Sequence, residues 1–295
     1  MKWVIAAVLL SASIASAQGI PFPGPGRAPW GASGPPPAGG TDFTADPDFL
    51  GCWAMASTDL QDAFELDNCT ADASADNMTW NNQFGSVPSA PAGSVFTRAA
   101  YSDGGITNGY MSLADDNRFE VADFTIGCWY TQDGPAPGSD YVFSKDDLTA
   151  WELQAQSSGT AKFEVQDEPE LTATSIGADE WQHRVMRYDG SGTSADAVDN
   201  AVEVFTNGLI DCAGGCKDQP ISPAGNAGNI TILAQSSGGA SKLDGSAHSC
   251  FYAARVLSDA EIEEIFLCGL TGGDDGTAKD AAYSGAICDT EGCCP

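Results

Sequence analysis

The chain is poor in positive charge. Its 295 residues hold 12 Lys and Arg against 41 Asp and Glu, with two His, for a formal net charge of −29. A surface of that sign repels nucleic acid and anionic membranes, so neither is expected as a partner. A lyase or sialidase site would need more Arg, Tyr and His than this chain can gather. Long apolar runs are missing too. Val4 to Leu10 is far too short to span a bilayer, and nothing later is longer and as apolar, so membrane insertion is not expected. G-x-S-x-G is absent, and no Ser or Cys nucleophile motif accompanies His183.

Paired catalytic carboxylates are also hard to find. Retaining glycosidases need two carboxylates flanking one bond. Glu65 and Asp67 in "ELDNCT" start such a strand pattern, but Cys69 and Thr70 stand where its second Glu belongs. Glu168 and Glu170 lie in turn-like sequence around Pro169. Glu164, Asp167 and Glu168 do not share one strand face. The sequence therefore predicts no enzyme.

What the chain does contain begins with an export pattern. Lys2, the apolar run and Ala15-Ser16-Ala17 predict a signal peptide over 1–17, hence a secreted or extracytoplasmic protein. Residues 18–46 are dominated at first by Pro and Gly and read as an extended linker. All ten Cys follow the signal, and an even number in an exported chain predicts disulfides. Cys212 and Cys216 are spaced to close a small loop; zinc is the rival reading, and it usually wants recurrent C-x-x-C pairs. Residues 271–295 form a polar tail with three further Cys.

From about Asp46 the texture changes. Short alternating or apolar runs recur between Gly, Asp, Asn and Ser: "DFTIGCWYT" at 123–131, "DYVFSK" at 140–145, "AWELQAQ" at 150–156, "AKFEVQ" at 161–166, "WQHRVMRY" at 181–188, "NITILAQ" at 229–235 and "SCFYAARVL" at 249–257. Such spacing predicts an all-β, antiparallel sandwich. Phe124, Ile126 and Cys128 share one face of their strand; Thr125, Gly127 and Trp129 share the other. Asn207-Gly208, inside "AVEVFTNGLID", suits the two positive φ angles of a type I′ hairpin. One short C-terminal helix is predicted in "LSDAEIEEIFLCGL": Ser258 and Glu261 make a capping box, and Ile262, Ile265 and Phe266 make an apolar face.

Four segments carry a family resemblance: "RFEVADFTIGCWY", "DEWQHRVMRYDG", "VEVFTNGLID" and "KLDGSAHSCFYAARVLSDAEIEEIF". In this order they resemble the laminin-G-like members of the concanavalin A-like lectin/glucanase superfamily, over roughly residues 48–268. The resemblance implies a two-sheet antiparallel jelly roll, here placed at 47–270. Three features depart from the family pattern. His248-Ser249 replaces its Asp-Glu, "SGTSADAVDN" enlarges the loop after Asp189-Gly190, and the segment from Cys52 to Trp80 follows it only loosely. The resemblance also makes His183 a packing residue of its strand, with Arg184 and Arg187 as sheet-surface cations.

The family's jelly rolls bind sugars or proteins at loops along a rim or over a concave sheet. The expected function is an exported, non-catalytic module for a glycan or glycoconjugate. A structural module binding an extracellular protein is the alternative, and a glycoside hydrolase stands behind both. Sugar binding wants aromatic faces and amide or carboxylate side chains. Tyr101, Asn108, Tyr110 and Trp151 are the candidates, with Trp80 beside them; Trp129 and Trp181 are expected in the core. No cofactor is required. Calcium is a candidate ion, since Asp189, Asp196, Asp199 and Asn200 gather in the enlarged loop and Asp103, Asp115 and Asp116 lie in others. None has EF-hand spacing. Sequons stand at Asn68, Asn77 and Asn229.

Overall fold

The computed structural model describes residues 41, 43–53, 65–66, 78–81, 100–103, 109–133, 139–145, 150–156, 159–165, 171–173, 175, 181–190, 202–211, 228–235 and 241–268. Fifteen strands, β1 to β15 in chain order, build two antiparallel sheets. The first sheet holds β1 (Phe49–Trp53), β4 (Ala100–Asp103), β6 (Asp123–Gln132), β11 (Gln182–Asp189), β12 (Val202–Thr206), β13 (Leu209–Ile210) and β15 (Asp244–Ala253). The second holds β2 (Glu65–Leu66), β3 (Met78–Asn81), β5 (Tyr110–Leu113), β7 (Ser139–Lys145), β8 (Trp151–Gln156), β9 (Ala161–Val165), β10 (Leu171–Thr172) and β14 (Ile230–Ile232). Strand order in the first is β1-β15-β6-β11-β12-β13, with β4 also on β15; in the second it is β10-β9-β8-β7-β14-β5-β3-β2. With one helix near its C-terminal end, α1 (Asp259–Cys268), this is the expected jelly-roll sandwich.

Period-two alternation explains the packing. Phe124, Ile126, Cys128 and Tyr130 of β6 point between the sheets, with Met186 and Tyr188 of β11 and Tyr252 of β15. From the second sheet Met111, Phe143, Trp151, Leu153 and Phe163 meet them. Cys128 and Cys250, on neighbouring strands, are joined by a disulfide inside this layer. Cys52 is disulfide-bonded as well.

A second core lies on the outer face of the first sheet. There α1 lays Ile262 and Ile265 over Val185, Phe205 and Phe251, and Phe43 and Phe49 complete the cluster. Gly127 permits this closeness: a Cβ there would run into the rings and methyls of Phe251 and Val185. The capping box is formed, with the Ser258 amide donating to Glu261 Oε2 at 2.7 Å and the Glu261 amide donating to Ser258 Oγ at 3.3 Å. The hairpin is formed too. Asn207 and Gly208 have φ of 49° and 78°, and Thr206 pairs with Leu209. The expected strand at 229–235 stops at Ile232, because Leu233 turns to a φ of 71°.

Candidate functional site

His183 occupies a packing position. It is fully buried beneath α1, its ring 4.9 Å from Trp129 and 6.0 Å from Phe266. Burial alone pushes its pKa down to about 3, so the ring is neutral. The expectation of two surface cations is half corrected. Arg187 lies on the outer face beside Glu203 and Asp259. Arg184 is fully buried on the inner face, bonded to Gln182 Oε1 at 2.7 Å, to Thr206, and to Asp211 Oδ2 at 3.3 Å. Even spacing along β11 places it inward with Met186; buried polar partners make that tenable.

Three of the four sugar-binding candidates are described, and they lie on three different strands. Tyr101 lies on β4 of the first sheet, opposite Ser246, and Tyr110 on β5 of the second. Asn108 falls outside the described residues. Trp151 is a core residue, 1% exposed, with Phe143 at 4.8 Å and Tyr252 at 5.7 Å and its indole donating to the Phe119 carbonyl at 3.4 Å. It has no face for a sugar. Trp80 lies on β3. Trp129 is buried under α1 and Trp181 is half-buried.

Of the calcium candidates, Asp189, Asp103, Asp115 and Asp116 are described. Asp189 ends β11 in register with Asp123, while Asp196, Asp199 and Asn200 fall outside the described residues. Asp103 ends β4, opposite Asp244. Asp115 accepts from the buried Lys145 ammonium at 2.5 Å. Asp116 accepts from the Arg118 amide at 2.9 Å, and its carboxyl is held below the usual range chiefly by the hydrogen bond from the Arg118 side chain. Among the described residues no group of three His, Cys, Asp or Glu could hold a metal ion.

A different polar surface is assembled by strand register. Across the outer face of the second sheet one row runs Thr79, Ser112, Thr231, Ser144, Glu152, Glu164, each opposite the next on β3, β5, β14, β7, β8 and β9. Six strands at the usual spacing make it about 24 Å long. Beside it Tyr141, Gln154 and Lys162 form a parallel row. Lys242 bridges to Tyr141 and holds its ammonium 5.6 Å from the ring centre of Tyr110.

Exposure varies along this face: Ser144 and Thr231 are fully buried, Glu152 and Gln154 are 3% and 2% exposed, and Tyr110, Tyr141, Gln156, Lys162 and Glu164 are half-buried. A hydrogen-bonded ladder runs along β8. Gln156 Nε2 donates to Gln154 Oε1 at 3.1 Å, and Gln154 Nε2 donates to Glu152 Oε1. Glu152 in turn faces the carboxyl of Glu164, which Lys162 holds at 2.5 Å. Burial first, then the hydrogen bond and charge of Glu164, push Glu152 up to about 9; Lys162 and Gln154 oppose the shift.

The acid pair and its row were missed because each strand gives half of them. The available signal was alternation: W-E-L-Q-A-Q and A-K-F-E-V each bury one set and leave Glu, Gln and Lys on the other. What this face can do chemically is bind hydroxyl-rich ligands through amides, acids and phenols.

A comparison with curated protein sequences finds no match. Among solved structures, a Trypanosoma rangeli sialidase in complex with sialic acid is similar, with a TM-score of 0.55 at 14% identity over 77% of this chain and 34% of that one. The binding domain of botulinum neurotoxin DC in complex with SialylT gives 0.51 at 12% identity over 74% of this chain and 50% of that one. At such identities the likeness shows the fold alone, and the chain spans about a third to a half of these proteins. A family model, Laminin_G_3 of the concanavalin A-like lectin/glucanases superfamily, matches residues 103–263. The chain, by that match and by its two-sheet jelly roll, belongs to this laminin-G-like family.

Proposed function

We propose that the chain is a non-catalytic glycan-binding module working through the outer face of its eight-stranded sheet. One observation carries this reading. The face is polar along two rows of strand-register neighbours, and at its β7–β9 end Tyr141 is half-buried opposite Gln154, with Gln156, Lys162 and Glu164 also half-buried. Aromatic rings give sugars their C–H faces, and amides and carboxyls meet their hydroxyls. Ser144 and Thr231 in the middle of the row are buried and bonded to each other, so the part open to a ligand is its β7–β9 end, about 10 Å across three strands, which suits one or two sugar units. Structures of similar fold hold sialic acid and SialylT, which supports a glycan as the ligand class.

The non-catalytic reading rests on the sequence, where Cys69 and Thr70 stand in place of the second Glu after Glu65 and Asp67. The module is further read as exported, on the signal pattern at 1–17 and the Cys128–Cys250 disulfide. Thr41, Phe43 and Phe49 lie on the α1 side, where the Thr41 amide donates to Glu264 Oε1 at 2.5 Å, opposite the polar face.

The test is binding of the purified protein to a panel of neutral and acidic polysaccharides, with calcium and with EDTA. Retention that survives EDTA and is lost in Tyr141→Ala supports this site. Retention lost in EDTA moves the site to the Asp189–Asn200 loop. A folded protein that retains no glycan favours the protein-interaction role.

A further inference from the structure

The outer row ends on two carboxyls in direct register. Glu152 on β8 lies opposite Glu164 on β9, one residue pair away from Gln154 opposite Lys162. Both point to the non-core face, since Trp151, Leu153, Phe163 and Val165 take the core side. Glu152 is 3% exposed, so water cannot screen it well. Its Oε1 is occupied by the Gln154 amide, while its Oε2 is buried without a hydrogen-bond partner, with Glu164 as the cross-strand neighbour. Among the described residues the cation beside the pair is Lys162, which contacts Glu164 Oε2 at 2.5 Å. From β7 the facing residue is Ser144, which carries no charge. The neighbouring phenol on that strand, Tyr141, sits opposite Gln154. One ammonium therefore meets two carboxyls in a recessed site, and two buried negative charges in contact are strongly unfavourable.

We propose that Glu152 and Glu164 hold one proton between them at neutral pH, and that this proton makes Glu152 the residue setting the groove's preference for uncharged glycans. With the proton in place the floor is neutral in sum: Glu152 is an acid, and Glu164 balances Lys162. The shared proton lies between the two carboxyls, so one of them donates and the other accepts. Losing the proton to water at alkaline pH leaves one uncompensated negative charge, breaks the carboxyl–carboxyl bond and frees Lys162 to be drawn by either acid. Binding of a neutral glycan then weakens, because its hydroxyls compete with that charge for the same donors. The ligand consequence rests on the proposed glycan-binding role; the shared proton does not.

The sign of the pH effect follows from proton counting. The folded protein keeps a proton on the pair that the unfolded chain releases near the ordinary Glu value, so stability falls as pH rises from about 4.5 to about 9. The experiment is urea denaturation of the full protein at steps from pH 5 to 9.5, for the wild type, Glu152→Gln and Glu164→Gln. Expected is a wild-type midpoint that declines across this window, a much flatter profile in Glu152→Gln, and a variant more stable than wild type at pH 9. Glutamine keeps the neutral shape of the protonated acid and cannot ionise. A wild-type profile no steeper than that of Glu152→Gln overturns the proposal. Should Glu152→Gln not fold, Glu164→Gln carries the same comparison from the other side of the pair. In a parallel arm, a neutral β-glucan at pH 6 and pH 9 reads the ligand effect, expected as at least a tenfold loss of affinity in the wild type and little change in Glu152→Gln. Declining stability with no glucan bound at either pH sinks the glycan-binding role and the preference, and leaves the shared proton standing.

Discussion

His183 lies flat against Trp129, their ring centres 4.9 Å apart and the planes 26° from parallel. Neither ring nitrogen of His183 meets a hydrogen-bond partner among the described residues. The histidine thus behaves as an aromatic filler between β6, β11 and α1, held in place by its backbone. Its amide donates to Asn207 Oδ1 at 2.9 Å, and its carbonyl accepts from the Asn207 amide at 2.8 Å.

That environment predicts an acid-side instability. The folded ring stays neutral down to about pH 3, whereas the unfolded chain takes up the proton near 6.5. Unfolding therefore binds a proton inside this window, and stability is complete above about 6.5 and drains as pH falls toward about 3. His183→Phe should flatten this limb in denaturation curves taken at pH 4, 5 and 7. An unchanged acid limb in the variant would assign the loss to other groups.

Trp151 predicts a stability effect with no binding effect of its own. Trp151→Ala should cost about 3–5 kcal/mol in equilibrium unfolding, the range for a large buried aromatic. Trp151→Phe should cost less, since it keeps the contacts with Phe143 and Tyr252. Either folded variant should retain wild-type affinity for a bound polysaccharide. A selective loss of affinity in Trp151→Phe at unchanged stability would return the ring to the ligand site.

Tyr141 predicts the reverse. Tyr141→Ala should lower polysaccharide affinity about tenfold, roughly 1.4 kcal/mol, read by titration calorimetry. Its half-buried position limits the stability loss to about 1 kcal/mol. Equal affinity in the variant and the wild type would remove this face from the site.

Arg184 predicts a steep cost for a polar residue. Arg184→Ala removes a buried guanidinium and takes a partner from Gln182 and from Asp211, at about 3–5 kcal/mol. Arg184→Met fills the space without the charge and should recover part of that loss. Chemical denaturation distinguishes the two; a cost near that of a surface change would mean the cluster is open to water.

Local signals were readable where one segment contains all the information. Alternation in β6 assigned one face to Phe124, Ile126 and Cys128 without reference to any partner strand. The Ser258–Glu261 box and the Asn207-Gly208 turn each need only adjacent residues, and both formed as expected. Alternation could also say that Arg184 and Met186 share a face. It could not say that this face is the inner one along its whole length, because a strand pattern with polar ends fits a sheet edge as well as a buried pocket.

The remaining features depend on which strands become neighbours. Tyr101 and Tyr110 are close in sequence, yet the chain passes from one sheet to the other between them. Ser112 and Thr231 are far apart in sequence, yet they pair directly. Glu152 and Glu164 meet because β8 and β9 close a hairpin in that one register; a shift by a single residue would set Glu152 opposite a core residue. Composition and short-range periodicity thus determined that this protein is an acidic β-sandwich capped by one helix, since those follow from each segment's own burial. The polar face, its acid pair and the inward arginine were decided by tertiary register, because strand pairing over long sequence separations is selected by the whole core and not by any segment alone.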